Sequence, residues 1–318
     1  MSKVILIALL IVFLVRTFLI ESYTISSSQM QTAIEEGDYV LVDKTAYGIR
    51  IPITILSVPF TFDTFFGRKS YSSLFALPYK RVFEKPLQHN DVVLFNNPNE
   101  SDKPIDKREL LLSRCIALPG DTIEIINDTY LIEHKDYIFS PDYMEEYKYL
   151  SSYESIIEET ADEQEIPLRN KKPCDSDTTS IVLNKYEAFI MNEVLPDSVS
   201  VWRKEAEPID YKFVVPRKDQ IVQLTERNMA IYKQVILFEQ GSKARFVNDK
   251  LVIDGNSQEY YTFLENYYWL LSDNKNNSID SRSIGFIPFS HIIGKANYIW
   301  YSSANGSVRK DRLFVPVK

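Results

Sequence analysis

An apolar run close to the first residue constrains this chain more than any other feature of its sequence. Val4 to Ile20 is 17 residues long and contains one charge, Arg16. A helix of this length measures about 25 Å, at the short end for crossing a bilayer, and Arg16 can extend its charge toward the headgroups. Lys3 favours a cytoplasmic N-terminus, which would place everything after Glu21 outside the cytoplasm. The run predicts a single-pass transmembrane anchor over residues 4–20.

A cleaved signal peptide is the alternative interpretation of the same run. Such a peptide has an apolar region of about 7–15 residues followed by a small-x-small cleavage site. Ser26, Ser27 and Ser28 could imitate that site. Both interpretations place the rest of the chain outside the cytoplasm, and no second apolar run of about 18 residues follows.

Charge and composition exclude several other classes of protein. The net charge is −8 and no long run of Lys and Arg occurs, so we expect no nucleic-acid partner. His89, His134 and His291 are scattered without metal-ligand spacing, and we expect no metal and no cofactor. Two cysteines, Cys115 and Cys174, are too few for a disulfide framework, and whether they pair stays open.

The remaining pattern is mainly that of strands. Aromatic residues are frequent, with 20 Tyr and 18 Phe, and such segments favour strands. One helix is predicted over Glu226 to Gln240, between a Thr225 N-cap and Gly241. Segments 48–88 and 169–180 are predicted as loops. The predicted strands are 39–42, 91–96, 109–117, 122–126 (resuming the sheet), 267–271, 292–302 and 312–317.

Three segments, taken together, carry a resemblance to a known family. The first reads ISSSQMQTAIEEGDYVLVDK (Ile25 to Lys44), the second SRCIALPGDTIEI (Ser113 to Ile125), and the third SDNKNNSIDSRSIGFIP (Ser272 to Pro288). Their order, their spacing and the apolar run upstream resemble the bacterial type I signal peptidases. The resemblance implies a mainly β fold, a coiled β-sheet domain with an inserted second β-rich domain. The limits are the anchor at 4–20, the core domain at 22–126 and 261–318, and the insertion at 127–260.

The resemblance also implies a Ser-Lys dyad, and this sequence departs from it at both positions. In the family, a serine immediately before the first motif's Met attacks the peptide carbonyl, and a neutral lysine before the second motif's Arg takes its proton. Gln29 and Ser113 occupy these two positions. A carboxamide is a poor nucleophile, and a hydroxyl cannot accept the proton at neutral pH. The sequence therefore predicts no intact catalytic dyad.

Neighbouring residues offer no obvious substitute. Ser28 would point away from Gln29 along a strand, whereas Ser27 would share its face and resembles the family's oxyanion-hole serine. Lys107 is about 20 Å from Ser113 along an extended chain. A lysine or histidine brought in by the fold remains open.

The third motif and the groove are better preserved. Ser278, Asp280 and Arg282 match the family's supporting serine and its Asp-Arg pair; the alternative is a surface turn with a modest ion pair. Ser272 replaces the motif's first Gly, and Lys275 its Arg. The resemblance places a peptide groove at Ile25, Met30, Leu111 and Leu112, where core packing is the equal alternative.

Two functions follow from the resemblance. The first is a catalytically inactive, membrane-anchored accessory or peptide-binding subunit at the extracytoplasmic face of a bacterial inner membrane. Its expected partners are the lipid bilayer and signal peptides, the secretion translocon or an active signal peptidase. The second is an active signal peptidase I, a serine endopeptidase with a displaced dyad. A Lys or His nitrogen within about 3 Å of a serine hydroxyl near Gln29 would favour the second.

Overall fold

The computed structural model of this protein is mainly β. It describes residues 2–31, 33–57, 64–72, 76–126, 129–141, 143–204, 211–248, 250–304 and 306–317. Within them the helices are α1 (Ser2–Phe18), α2 (Glu154–Glu163), α3 (Lys185–Val194), α4 (Glu226–Gln240) and α5 (Ser281–Ile284). The strands are β1 (Ile20–Thr24), β2 (Asp38–Asp43), β3 (Ile49–Arg50), β4 (Thr64–Phe65), β5 (Arg68–Lys69), β6 (Arg81–Val82), β7 (Val92–Asn96), β8 (Leu110–Ala117), β9 (Thr122–Ile126), β10 (Thr129–Ile132), β11 (Lys135–Asp136), β12 (Met144–Leu150), β13 (Arg169–Pro173), β14 (Thr178–Asn184), β15 (Trp202–Arg203), β16 (Tyr211–Val214), β17 (Ile221–Gln223), β18 (Ala244–Val247), β19 (Lys250–Ile253), β20 (Asn256–Gln258), β21 (Tyr260–Thr262), β22 (Tyr267–Leu271), β23 (Ile287–Pro288), β24 (Ile292–Ala304), β25 (Ser307–Val308) and β26 (Val315–Pro316).

One antiparallel sheet, curled into a half-barrel, organises the fold. Its strands run in the order β1-β2-β24-β7-β8-β22-β23, with β25 and β26 also pairing with β24. Side chains alternate between its two faces, as period-2 geometry requires. Met30 and Leu112 pack on one face with Val40 and Val92, whereas Leu111 packs on the other face with Tyr268. The sheet therefore separates two apolar cores.

A second sheet, β13-β14-β12-β15, has a core of its own with α2 and α3, drawn from residues 147–201. The prediction of a loop over 169–180 is wrong here, because Arg169–Pro173 forms β13 and pairs with β14 across a bulge. Three of the five β13 residues are basic, and most of the strand is solvent-exposed. Charge and a bulge are common features of a sheet edge, so the polar composition concealed a strand.

Strand β9 corrects a further expectation. The segment does not resume the central sheet; it pairs with β10 and β16 in a four-stranded sheet of order β11-β10-β9-β16. The reason is the preceding turn, where Gly120 has φ +98° and donates its N–H to Val215 O. Val215 donates in return to Asp121 O, which directs the chain away from β8. The predicted domain limits stay a prediction, and residue 127 lies outside the described residues.

The helix predicted over 226–240 is confirmed as α4. Thr225 Oγ1 accepts a hydrogen bond from Asn228 N, and Gly241 ends the helix with φ +55°. The strand predicted over 312–317 is shorter than expected, since only Val315–Pro316 pairs with β24. Arg312 instead ends a 3₁₀ turn and binds the buried Asp38 carboxylate.

The apolar run at the N-terminus is a helix with different limits from those predicted. Helix α1 ends at Phe18, and Ile20 already pairs with Asp43 as the first residue of β1. The large apolar residues from Val4 to Val15 are at least 40% exposed. Across the described part of the chain, no helix combines the length and apolarity needed to cross a membrane, so the predicted anchor over 4–20 is not confirmed.

Candidate functional site

The segment around Gln29 lies in turns rather than in a strand. Gln31 N donates to Ser28 O, and Ile34 N donates to Met30 O, which closes the chain on itself. The expectation that alternate residues here share a strand face is therefore wrong. Asn274 holds the segment through two hydrogen bonds. Its Nδ2 donates to Ser28 O, and its backbone N donates to Gln29 O.

Ser113, on β8, contacts the loop that begins at Ser272 and also carries Asn274. Its side chain is fully buried, and its Oγ lies 2.9 Å from the Oγ of Ser272, which is also fully buried. Ser272 N donates to the Asp280 carboxylate over 3.0 Å. The general-base position of the second motif and the first position of the third motif thus form a hydroxyl pair inside the protein.

The three residues predicted from the third motif do lie together. Asp280 is 1% exposed and accepts hydrogen bonds from Ser278 Oγ and from the backbone and guanidinium of Arg282. Burial works against the Arg282 cation, but its hydrogen bonds to Asp280 and the carboxylate charge prevail and raise the pKa of Arg282 above its usual value. The hydrogen bonds among Ser278, Asp280 and Arg282 fix the loop that carries Ser272. Because Asp280 is buried, these three residues do not form an exposed surface turn.

A buried ion pair anchors the other side of this loop. Arg114 Nε and Nη2 donate to the two Asp273 oxygens at 2.9 and 2.6 Å, with both side chains buried. Such a two-bond pairing is geometrically specific, and breaking one partner would leave an uncompensated buried charge. Because Arg114 follows Ser113 and Asp273 follows Ser272, the pair sets the distance between the two serines.

The predicted groove residues divide between the two faces of the sheet. Met30 is 1% exposed and packs with Leu112, and Ile25 lies at the edge of the same cluster. Leu111 lies in the opposite core. Ser27, the predicted oxyanion residue, is exposed. The four apolar residues therefore do not line one continuous groove.

The chemistry available at this site is limited. Within the described residues, neither Ser113 nor Ser272 is hydrogen-bonded to a lysine or histidine nitrogen. The Gln29 Oε1 atom is buried and has no hydrogen-bond partner among those residues. A polar atom in that state is costly, which marks the position as poorly satisfied by the protein itself.

Sequence reasoning missed a lysine–serine pair elsewhere. Lys107, which is 7% exposed, has its Nζ 2.7 Å from Ser57 Oγ, and both line a cavity of about 460 Å³ beside α1. The two residues are 50 positions apart, and Ser57 falls in a segment predicted as a loop. No local motif marks the pair.

Both cysteines are unpaired thiols in the structure, Cys115 buried and Cys174 partly exposed. Burial raises the pKa of the Cys115 thiol. The thiol therefore packs as an apolar group on the face of the sheet that carries Leu111.

Comparison with known proteins identifies the family of this chain. The chain matches the family described as "Signal peptidase, peptidase S26" over residues 1–199 and 218–301, and it belongs to that family. It is 25% identical to a protein named signal peptidase I from Buchnera aphidicola (subspecies Baizongia pistaciae) over 298 residues, 92% of this chain and 73% of the relative. A protein of the same name from Rickettsia akari is 27% identical over 296 residues, 92% of this chain and 76% of the relative. A signal peptidase I from Haemophilus influenzae is 24% identical over 321 residues, which cover 98% of this chain and 73% of the relative.

Proposed function

We propose that this chain binds signal-peptide segments of exported proteins and does not hydrolyse them at the Gln29–Ser113 site. The family and the names of its relatives support an interaction with signal peptides. One observation carries the inactive part of the proposal, which is the buried contact between Ser113 Oγ and Ser272 Oγ. Where the family would need a basic amine, two neutral hydroxyls satisfy each other.

The hydroxyl pair cannot replace a general base. A serine hydroxyl has far too high a pKa to accept a proton at neutral pH, and its lone pairs here face another hydroxyl. Gln29 offers no nucleophile, and its backbone carbonyl accepts a hydrogen bond from Asn274 N. The arrangement supplies no route for acyl transfer.

We also propose attachment to a lipid bilayer through α1, at the extracytoplasmic face of a bacterial inner membrane. The support is the exposed apolar surface of α1, because a contiguous apolar surface of that kind is typical of membrane or partner contacts. The secretion translocon or an active signal peptidase is a further proposed partner. Division into an anchor at 4–20, a core at 22–126 and 261–318 and an insertion at 127–260 is part of the same proposal.

A binding and cleavage assay tests the main proposal. The purified full-length chain is mixed with a fluorescent signal peptide and, separately, with a preprotein carrying a small-x-small cleavage site. We expect saturable anisotropy with the peptide and no cleavage product above a protein-free blank. Cleavage would refute the inactive role, and an absence of saturable binding would refute the binding role.

A second candidate function is an active peptidase with a displaced dyad at Ser57 and Lys107. The 2.7 Å contact between Lys107 Nζ and Ser57 Oγ favours it. In such a reaction, neutral Lys107 would take the Ser57 proton while Ser57 Oγ bonds to the peptide carbonyl carbon. The C–N bond would then break as the amine leaves with that proton, and water would hydrolyse the ester.

Single substitutions separate the two candidates. If a preprotein is cleaved, Ser57→Ala should reduce turnover by about 10⁶, because loss of a serine nucleophile typically has that effect. Ser28→Ala, in the segment before Met30, is the matched control and should leave the rate unchanged. Cleavage that survives Ser57→Ala and Lys107→Gln would exclude this dyad.

A further inference from the structure

We propose that the cavity at the C-terminal end of α1 binds the phosphate-containing headgroup of an anionic phospholipid. This inference rests on the proposed attachment of α1 to a bilayer, and it names the lipid chemistry that the chain would recognise there. The cavity has a volume of about 460 Å³ and lies between the last turns of α1, from Phe13 to Phe18, and the segment from Arg50 to Ser57. Its size is within the range of pockets that enclose small organic groups.

The walls of this cavity carry more positive than negative charge. Its described lining residues include four cationic side chains and two carboxylates, a formal excess of two positive charges, supplied by Arg16, Lys44, Arg50 and Lys107 against Glu21 and Asp106. The Glu21 carboxylate is shared, because it accepts from both Arg16 Nε and Lys44 Nζ. Asp106 accepts from neutral donors, the backbone N–H groups of Ile53 and Thr54 and the Thr54 hydroxyl. The chain as a whole has a net charge of −8, so the positive charge is a local property of this cavity.

Arg50 supplies the group that would hold an anion. Its Nη1 donates to Asn96 Oδ1 over 2.8 Å, and no carboxylate of the described residues forms an ion pair with it. Its other guanidinium N–H groups have no partner among those residues and are not fully buried. Burial and the nearby charge of Arg81 lower the pKa of Arg50 to about 10, so the guanidinium is charged at neutral pH and an anion beside it would be favourable. A guanidinium can bind a phosphate through two parallel N–H groups.

The surroundings of the cavity favour a lipid as the carrier of the phosphate. Ile55 and Leu77 line the cavity and are 58% and 43% exposed, and Phe13 joins it to the exposed apolar face of α1. Arg16 lies in the last turn of α1, where the charged end of the side chain would reach the headgroup level of a bilayer that holds the helix. A phospholipid would place its phosphate at Arg50 and its acyl chains along these apolar side chains. The excess positive charge would disfavour a headgroup that also carries an ammonium.

Titration of the full-length chain in a neutral, phosphorus-free detergent tests the site, with phosphorus NMR of the ligand as the readout. The probes are dihexanoyl phosphatidylglycerol, dihexanoyl phosphatidylcholine and inorganic phosphate. We expect saturable binding of the phosphatidylglycerol and at least about tenfold weaker binding of the other two. The choline lipid tests the charge of the headgroup, and inorganic phosphate distinguishes a free anion from a lipid.

Two substitutions test the residues, each with a matched control. Arg50→Gln removes the charge and should weaken phosphatidylglycerol binding about tenfold or more, whereas Arg245→Gln makes the same change in net charge at an exposed position of β18 and should have no effect. Ile55→Glu adds a carboxylate at the exposed rim of the cavity and should also weaken binding. Ile221→Glu, at an exposed position of β17, is its control. Because Ile55 is exposed, its variant keeps the test valid if Arg50→Gln fails to fold.

Flotation with vesicles of phosphatidylcholine alone separates this inference from the bilayer attachment on which it rests. If α1 attaches the chain, the unmodified protein and Arg50→Gln should both float. A chain that does not float would refute the attachment. A chain that floats but shows no saturable phosphatidylglycerol binding would overturn the headgroup site alone. Equal affinity for the two lipids, inorganic phosphate binding as tightly as phosphatidylglycerol, or unchanged binding in both Arg50→Gln and Ile55→Glu would each overturn it too.

Discussion

Replacing Ser113 by lysine should destabilise the protein, and removing the Ser272 hydroxyl should recover part of that loss. Ser113 is fully buried, and its Oγ lies 2.9 Å from Ser272 Oγ, so a longer side chain must displace Ser272. Overpacking of this kind reduces the free energy of unfolding by about 1–3 kcal/mol. Ser272→Gly removes the obstructing oxygen, at a backbone entropy cost of up to roughly 1 kcal/mol.

Charge adds to the steric effect. Burial disfavours the lysine cation, and holding a lysine neutral at pH 7 costs roughly 4.6 kcal/mol. Ser113→Met has a similar length and no charge. The difference between the Lys and Met variants therefore measures the charge, and the Met variant alone measures the lack of space.

Urea unfolding followed by circular dichroism gives the free energies for a double-mutant cycle. We expect a favourable coupling of at least about 1 kcal/mol between Ser113→Met and Ser272→Gly, because the two side chains are in contact. Ser180→Gly is the control, since Ser180 is fully buried in a different sheet and should be additive with Ser113→Met.

Two results would refute the reasoning. A cost below about 0.5 kcal/mol for Ser113→Met would mean that the pocket has spare volume. Equal coupling with Ser272→Gly and with Ser180→Gly would mean that the serine contact is irrelevant. If the coupling is found, any attempt to rebuild a dyad through Gln29→Ser and Ser113→Lys also requires Ser272→Gly.

Two further predictions concern pH and backbone geometry. Burial raises the pKa of the Glu265 carboxyl from 4.5 to about 7, although hydrogen bonds from Ser290 oppose the shift. As pH rises, the unfolded chain loses this proton before the folded chain does. The free energy of unfolding should therefore fall by roughly 3 kcal/mol between pH 4.5 and 7. Chemical unfolding across that range should show the slope, Glu265→Gln should flatten it, and an unchanged slope would contradict the assignment. Gly37→Ala should cost several kcal/mol, because its φ is +87° and an added Cβ would lie 2.1 Å from Ser303 O. Gly67 has φ +74°, and no neighbouring atom of the described residues lies within 4 Å of an added Cβ. Gly67→Ala should therefore cost only about 1 kcal/mol in the same urea assay, so similar costs for both variants would be a contradiction.

Local sequence determined the elements whose signals are local. Thr225 and Gly241 bound α4 because a side-chain cap and a left-handed glycine satisfy helix ends within a few residues. Strands β7, β8 and β22 follow from apolar runs that fill both faces of a sheet. The three motifs and the family also follow from residue identity and order.

Tertiary structure decided which of these elements meet. The local sequence does not determine that β9 pairs with β10 and β16 rather than extending the central sheet. This pairing depends on hydrogen bonds between the 120–121 turn and Val215. The turns around Gln29 likewise depend on Asn274, far away in sequence. The polar segment β13 forms a strand because it pairs with the edge of β14.

The same division holds for the candidate site. The sequence by itself shows Gln29 and Ser113 at the positions where the family resemblance implies a dyad. It also shows Ser278, Asp280 and Arg282 at a spacing of two residues within the third motif. Only the fold brings Ser113 against Ser272, 159 positions away, and Lys107 against Ser57. Hydrogen-bond partners in a protein interior are selected by distance in space, and that distance is set by packing of the whole chain rather than by spacing along it.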